Sequence, residues 1–224
     1  MSAPILVYPR LMEDEELPPP VFRLLGQARA SRQLLQDPFL TRGIRSYQPG
    51  DNVRDIHWPA TARTGQAQVR VREPAAQGRL MVVLNAQMTQ EQWGNLMDYE
   101  QGTIEYAISL AATACVRALR AGLPAGFAAN MPMGEDKACA VLPPASGAAR
   151  EETLLAAFAR LRVVFCRDFL AFLEDLTFFS GMDFMIISAY DSPEIQTRLH
   201  ALSLKGNTAE MVLLEAGGGA AHGG

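Results

Sequence analysis

The sequence predicts an α/β chain: a doubly wound, mostly parallel sheet from about Leu80 onward, preceded by an antiparallel β annex. Three observations carry this reading. Leu80–Leu84 and Phe184–Ser188 are short, near-continuous apolar runs, the pattern of strands buried on both faces. Between about Trp93 and Leu119, apolar residues recur at helical spacing through Ile104, Ile108, Ala111, Cys115 and Leu119. From Gln66 to Glu73 the pattern changes to strict alternation, with Ala67, Val69 and Val71 on one side and Gln68, Arg70 and Arg72 on the other. That is the period of a half-exposed strand with a basic outer face.

The remaining elements follow in chain order. Ile5–Tyr8 reads as an edge strand stopped by Pro9, and the acidic, proline-rich stretch after it as a surface loop. Val21 to Leu35 has helical character and ends before Asp37-Pro38, because a residue preceding proline avoids the helical region. Tyr47-Gln48-Pro49-Gly50-Asp51 is a turn, with proline presetting the first corner and glycine accepting the second. Alanines at 107, 111, 112, 114 and 118 let the long helix lie close on a sheet, and Gly122 stops it. Leu123 to Ala129 and Ala138 to Leu142 are further strands, the latter closed by Pro143-Pro144. Two helices follow, one with Leu154, Leu155, Phe158 and Leu161 on a face, the other with Phe169, Leu170, Phe172, Leu173 and Leu176. Pro193 to Leu204 is a helix with Ser192 as its N-cap, and Met211 to Leu214 the last strand. The runs at Leu80–Leu84, Phe184–Ser188 and Met211–Leu214 are expected to be central and parallel. The division expected is 1–79 for the annex, 80–215 for the α/β domain, and a disordered Gly/Ala tail over 216–224.

Composition narrows the function. A formal net charge of -4 gives no basic excess to neutralise phosphates, so a nucleic-acid partner is not expected. Cys115, Cys139 and Cys166 are widely spaced and form no C-x-x-C pair, which argues against a disulfide scaffold or a cysteine zinc site and fits a reducing compartment. No apolar run is long enough to span a bilayer, and the N-terminus carries no secretory pattern.

Candidate sites are few. In an open α/β sheet, ligands bind beyond the carboxyl ends of the strands. The first buried strand runs into Asn85, Gln87 and Thr89, polar at every second position, and a later strand supplies Asp191. One carboxylate among neutral amides is a poor Mg²⁺ site, so no metal and no cofactor are expected. His57, His200 and His222 have no ligand spacing. No G-x-S-x-G elbow and no glycine-rich phosphate loop appears. The densest stretch gathers Arg45, Tyr47, Pro49, Gly50, Asp51, Arg54, His57, Trp58 and Arg63 around one turn. Read structurally, Asp51 locks the turn through backbone amides, Arg54 or Arg63, and Trp58 plugs the core. Read functionally, the arginines and Trp58 form a docking surface, since these residue types dominate interface hot spots.

The order R-S-Y-Q-P-G-D-N-V-R-D-I-H-W from Arg45 to Trp58, then A-T-A-R-T-G from Ala60 and V-R-V-R-E from Val69, resembles the signature of the bacterial domain of unknown function 58 family. The resemblance implies a von Willebrand factor A-like, Rossmann-like sheet and a protein partner, a MoxR-type AAA+ ATPase, in assembling or activating other proteins. Many members of that family carry a pair of membrane helices ahead of the segment matching Val7-Tyr8-Pro9, so the chain is expected to be either a naturally soluble member or a piece of a membrane-anchored parent lying on the cytoplasmic side. His57 stands where the family usually has aspartate. Asn85, Gln87 and Thr89 stand where the fold's D-x-S-x-S metal motif would be, so the metal site is read as degenerate. The expected function is thus a non-catalytic, cytoplasmic protein-interaction module. The alternative is a hydrolase or nucleotide-binding enzyme on the same kind of sheet, because such sheets host many chemistries.

Overall fold

The computed structural model describes residues 6–23, 25–26, 43–49, 51–53, 56–71, 78–92 and 97–214. The chain divides into two compact units, one formed by 30–77 and the other by 1–29 with 78–224.

In the small unit, β1 (Gly43–Ser46) and β2 (Gln68–Val71) pair antiparallel, with Gly43 opposite Val71 and Ser46 opposite Gln68. The sequence pattern marks β2 but not β1. Between them lies a helix absent from the sequence reading, α1 (Trp58–Thr64). Its cause is local: Pro59 sits in the first turn, His57 caps the start, and Gly65 ends it at φ +70° with its N–H on the Thr61 carbonyl. The Gln68 N–H donates to Thr61 Oγ1 at 2.9 Å, and the His57 N–H to the Gln68 carbonyl at 2.7 Å, which holds α1 along β2. Val69 is buried as the alternation expects, but Gln68 is buried too, its amide donating to Ser46 Oγ at 3.4 Å, and Ala67 is exposed.

The large unit contains a five-stranded sheet. Its strands are β3 (Leu80–Leu84), β4 (Ala125–Pro132), β5 (Cys139–Ala145), β6 (Asp183–Ser188) and β7 (Thr208–Leu213), in the order β5-β4-β3-β6-β7. All neighbours are parallel except β4 and β5. Counted along the chain the order is 3-2-1-4-5, the doubly wound pattern in which the chain works outward from β3 in one direction and then the other. β3 earns its central place by being buried at every position.

Period-two alternation sorts the strand side chains onto two cores. Leu80, Val82, Leu84, Met185 and Ile187 meet Ile104, Ala107, Ala111, Ala114 and Ala118 of α2 (Asp98–Arg120), together with Leu154 of α3 (Arg150–Phe158). Phe158 stacks on Phe127 with ring centroids 4.2 Å apart. On the other face Met81, Val83, Phe184 and Ile186 meet Phe169, Phe172 and Leu173 of α4 (Phe169–Asp175) and Ile195, Leu199 and Leu202 of α5 (Pro193–Ser203). The result is three layers, helices on both faces of one sheet.

Three expectations are corrected here. Leu6–Tyr8 have no regular structure, whereas the described part of Val21–Leu35, residues 21–23 and 25–26, is helical, with 24 and 27–42 outside the described residues. The strand ending at Pro143-Pro144 instead runs through both prolines to Ala145. It can because β5 is an edge strand, where the missing N–H of proline faces no neighbour. Arg150 secures the passage, its guanidinium donating to the Ala125 and Pro143 carbonyls at 3.2 and 2.5 Å. The last strand is parallel as expected but lies at the opposite edge rather than in the centre. The tail lies outside the described residues, and none of the helices among those residues is long and apolar enough to cross a membrane.

Candidate functional site

Strand order reverses between β3 and β6, and the crevice beyond their carboxyl ends is where such a sheet binds ligands. Residues 85–87 leave β3 there and residues 189–191 leave β6. Asn85 and Gln87 are fully or almost fully buried, whereas Thr89 and Asp191 face solvent. The structure therefore separates the polar positions that the sequence spacing groups together.

The two buried amides are committed to the protein. Asn85 Nδ2 donates to Ser188 Oγ at 3.0 Å, and Asn85 Oδ1 accepts from the Gln87 N–H at 2.9 Å. Ser188 Oγ in turn donates to the Tyr190 carbonyl at 2.6 Å. Gln87 Oε1 reaches across the crevice and accepts from the Phe169 N–H at 2.7 Å, an otherwise orphaned donor in the first turn of α4. A third amide completes the set. Asn130, in β4, accepts from the Ala86 N–H at 2.7 Å, while its Nδ2 donates to the Arg167 carbonyl at 3.1 Å and to Asn85 Oδ1 at 3.5 Å. Sequence reasoning missed Asn130; the signal was an amide inside an apolar strand, since a polar residue buried there must find partners.

This donor set does not fit a hard divalent cation. Mg²⁺ dehydrates reluctantly and is held by carboxylates. Asn85 supplies a dipole, its oxygen already accepts two hydrogen bonds, and the Gln87 oxygen is turned onto a helix N–H. Asp191 accepts from Gln196 Nε2 at 2.8 Å on the surface, and Asp168, the other nearby acid, caps α4 through the Ala171 N–H. Among the described residues no cluster of three His, Cys, Asp or Glu is arranged to hold a metal.

The signature segment has a different character. Asp51 is only partly exposed and Arg45 is its partner, a residue the sequence reading did not name for it: the guanidinium makes a two-pronged contact at 2.7 Å on each oxygen. The Gln48 N–H adds a third bond to Asp51 at 2.8 Å, which locks the turn around Pro49. Arg45, followed by Gln48, holds the Asp51 carboxyl below its ordinary value, and Asp51 raises that of Arg45. Gly50, Arg54 and Asp55 lie outside the described residues. His57 Nδ1 accepts from the Ala60 N–H at 3.0 Å, so the ring does the work of an N-cap. That explains how histidine substitutes at a position where the resembling family carries aspartate, a preferred capping residue.

Trp58 does not plug a core. It is 66% exposed, and α1 buries none of its residues. Tyr47, Val53 and Ile44 are exposed on the same unit, and Arg63 faces solvent in the last turn of α1. The turn and helix are thus organised by polar bonds, leaving the apolar side chains outward.

A family model described as protein of unknown function DUF58 matches residues 43–168, more than half of the chain. No curated protein and no solved structure matches it.

Proposed function

The chain belongs to the DUF58 family, and on that premise we propose that it is a non-catalytic protein-interaction module on a von Willebrand factor A-like sheet, taking a MoxR-type AAA+ ATPase as its partner. The observation that carries the reading is Trp58. A tryptophan displayed on a seven-residue helix that buries nothing contributes little to folding, while aromatics and arginines anchor interfaces. Tyr47 and Arg63 extend the same kind of surface. The 3-2-1-4-5 strand order supports the sheet assignment. The non-catalytic part is supported by the crevice at the strand ends, where the buried amides are bonded to one another and to backbone rather than held ready for a substrate. Cytoplasmic placement follows from the ATPase partner.

The test uses the purified chain and a MoxR-type ATPase, with and without ATP, in analytical size exclusion and calorimetric titration. A complex is expected, weakened at least tenfold by Trp58→Ala or Tyr47→Ala at unchanged melting temperature. Absence of binding, or binding indifferent to Trp58→Ala, would overturn the proposal. Turnover of generic phosphoester or ester substrates, abolished in Asp191→Ala, would favour the enzyme instead.

A further inference from the structure

The sequence gives no reason to pair Cys139 with Cys166, yet the fold brings their sulfurs to 2.9 Å. A bonded pair sits at about 2.05 Å, so closure needs less than an ångström of sulfur movement. Both backbones are already fixed on β4. Cys139 opens β5 opposite Pro132, and the Cys166 N–H donates to the Asn130 carbonyl at 2.9 Å, two residues earlier on the same strand. Neither cysteine must be carried to the other, because one strand holds both.

The two thiols differ in environment. Cys166 is exposed and Cys139 half-buried. They lie on the wall of a surface groove of about 340 Å³ lined by Lys137, Arg167, Phe172 and Phe178, wide enough for a small reagent. Cys115 is fully buried within the core.

We propose that Cys139 and Cys166 form a thiol pair that a hydroperoxide oxidises reversibly to a disulfide clamping β5 to the segment leading into α4. The exposed Cys166 thiolate attacks the terminal peroxide oxygen; the O–O bond breaks and Cys166 becomes a sulfenic acid, with the other oxygen leaving, once protonated, as water from hydrogen peroxide or as an alcohol from an organic hydroperoxide. Cys139 then attacks that sulfur, the S–O bond breaks, and the departing hydroxide takes the Cys139 proton to form water. Two electrons pass from the sulfurs to one peroxide, and a dithiol reductant reverses the step. Burial, followed by the contact from Cys166, pushes the Cys139 thiol up to about 12, which leaves the first attack on the peroxide to Cys166. Intracellular disulfides of this kind are usually redox-responsive rather than structural.

The experiment treats the full chain with hydrogen peroxide, alkylates the remaining thiols and maps the tryptic peptides. The expected product joins peptide 138–150 to peptide 163–167 with the loss of two hydrogens, lowers the accessible thiols of the denatured chain from three to one, and reverts with dithiothreitol. Closing this loop should raise the melting temperature by roughly 5–10 °C. Cys115→Ser should leave the bridge intact, and Cys166→Ser should leave Cys139 reduced. A sulfinic acid on Cys166 with Cys139 unreacted, a bridge between two chains, or any bridge through Cys115 overturns the proposal. Because the map is read on the unsubstituted protein, a variant that fails to fold does not shelter it.

Discussion

Replacing Asn130 tests whether the amide network holds the strand-end crevice. Asn130 is buried, and its side chain serves the Ala86 N–H at 2.7 Å, the Arg167 carbonyl at 3.1 Å and Asn85 Oδ1 at 3.5 Å. Asn130→Ala orphans the buried Ala86 N–H and the part-buried Arg167 carbonyl, a buried group costing about 1–3 kcal/mol when left unsatisfied and the second somewhat less, and opens a small void besides. The sum is about 2–5 kcal/mol, or roughly 4–20 °C in melting temperature for a chain of this size. Asn130→Leu isolates the polar part: leucine fills the space but accepts nothing, so most of the loss should remain. Glu105→Ala, at an exposed helix position, serves as the reference and should stay within about 0.5 kcal/mol. Urea unfolding followed by far-ultraviolet circular dichroism gives all three values. If Asn130→Leu is as stable as the parent, hydrogen-bond satisfaction is not what holds the crevice, and the account of the network fails.

Other outcomes follow from single contacts. A Cβ on Gly126 would stand 2.3 Å from the Leu142 carbonyl oxygen and 2.5 Å from the Pro144 nitrogen, so Gly126→Ala must push β5 aside and should cost roughly 1–3 kcal/mol in chemical unfolding. Removing the His57 cap in His57→Ala should cost about 0.5–2 kcal/mol, while His57→Asp should keep the parent's stability; equal loss in both would disprove the capping role. Because Asp51 is held below its ordinary value of 3.8, its contribution is present above that pH and disappears as pH falls through the lower folded-state value. Melting the parent and Asp51→Asn across pH 3–7 should therefore show their difference shrinking toward the acid end, and a difference that grows there would refute the pairing. Millimolar Mg²⁺ should leave the melting temperature unchanged, whereas a ligand at about a hundred times its dissociation constant would add about 2.7 kcal/mol.

The sequence by itself determined the parts whose physics is local or periodic. Leu80–Leu84 and Phe184–Ser188 could be read as strands because a strand covered on both faces must be apolar throughout. Gly122 could be read as the stop of α2 because it takes φ +78° there. Ser192 could be read as a cap because the Ile195 N–H needs an acceptor. The family was legible too, since an ordered signature needs no fold to be seen. Tertiary structure alone decided what depends on neighbours. It placed β5 at an edge, where two prolines cost no ladder bond, and it put β7 at the other edge. It turned Trp58 outward, gave Asp51 to Arg45, and split Asn85 and Gln87 from Thr89 and Asp191 by burying one pair and not the other. It brought the free thiols of Cys139 and Cys166 together across 27 positions because β4 holds both. Propensity and periodicity act over a few residues, whereas exposure, partner choice and approach of distant side chains are set by which surfaces the sheet and helices bring together.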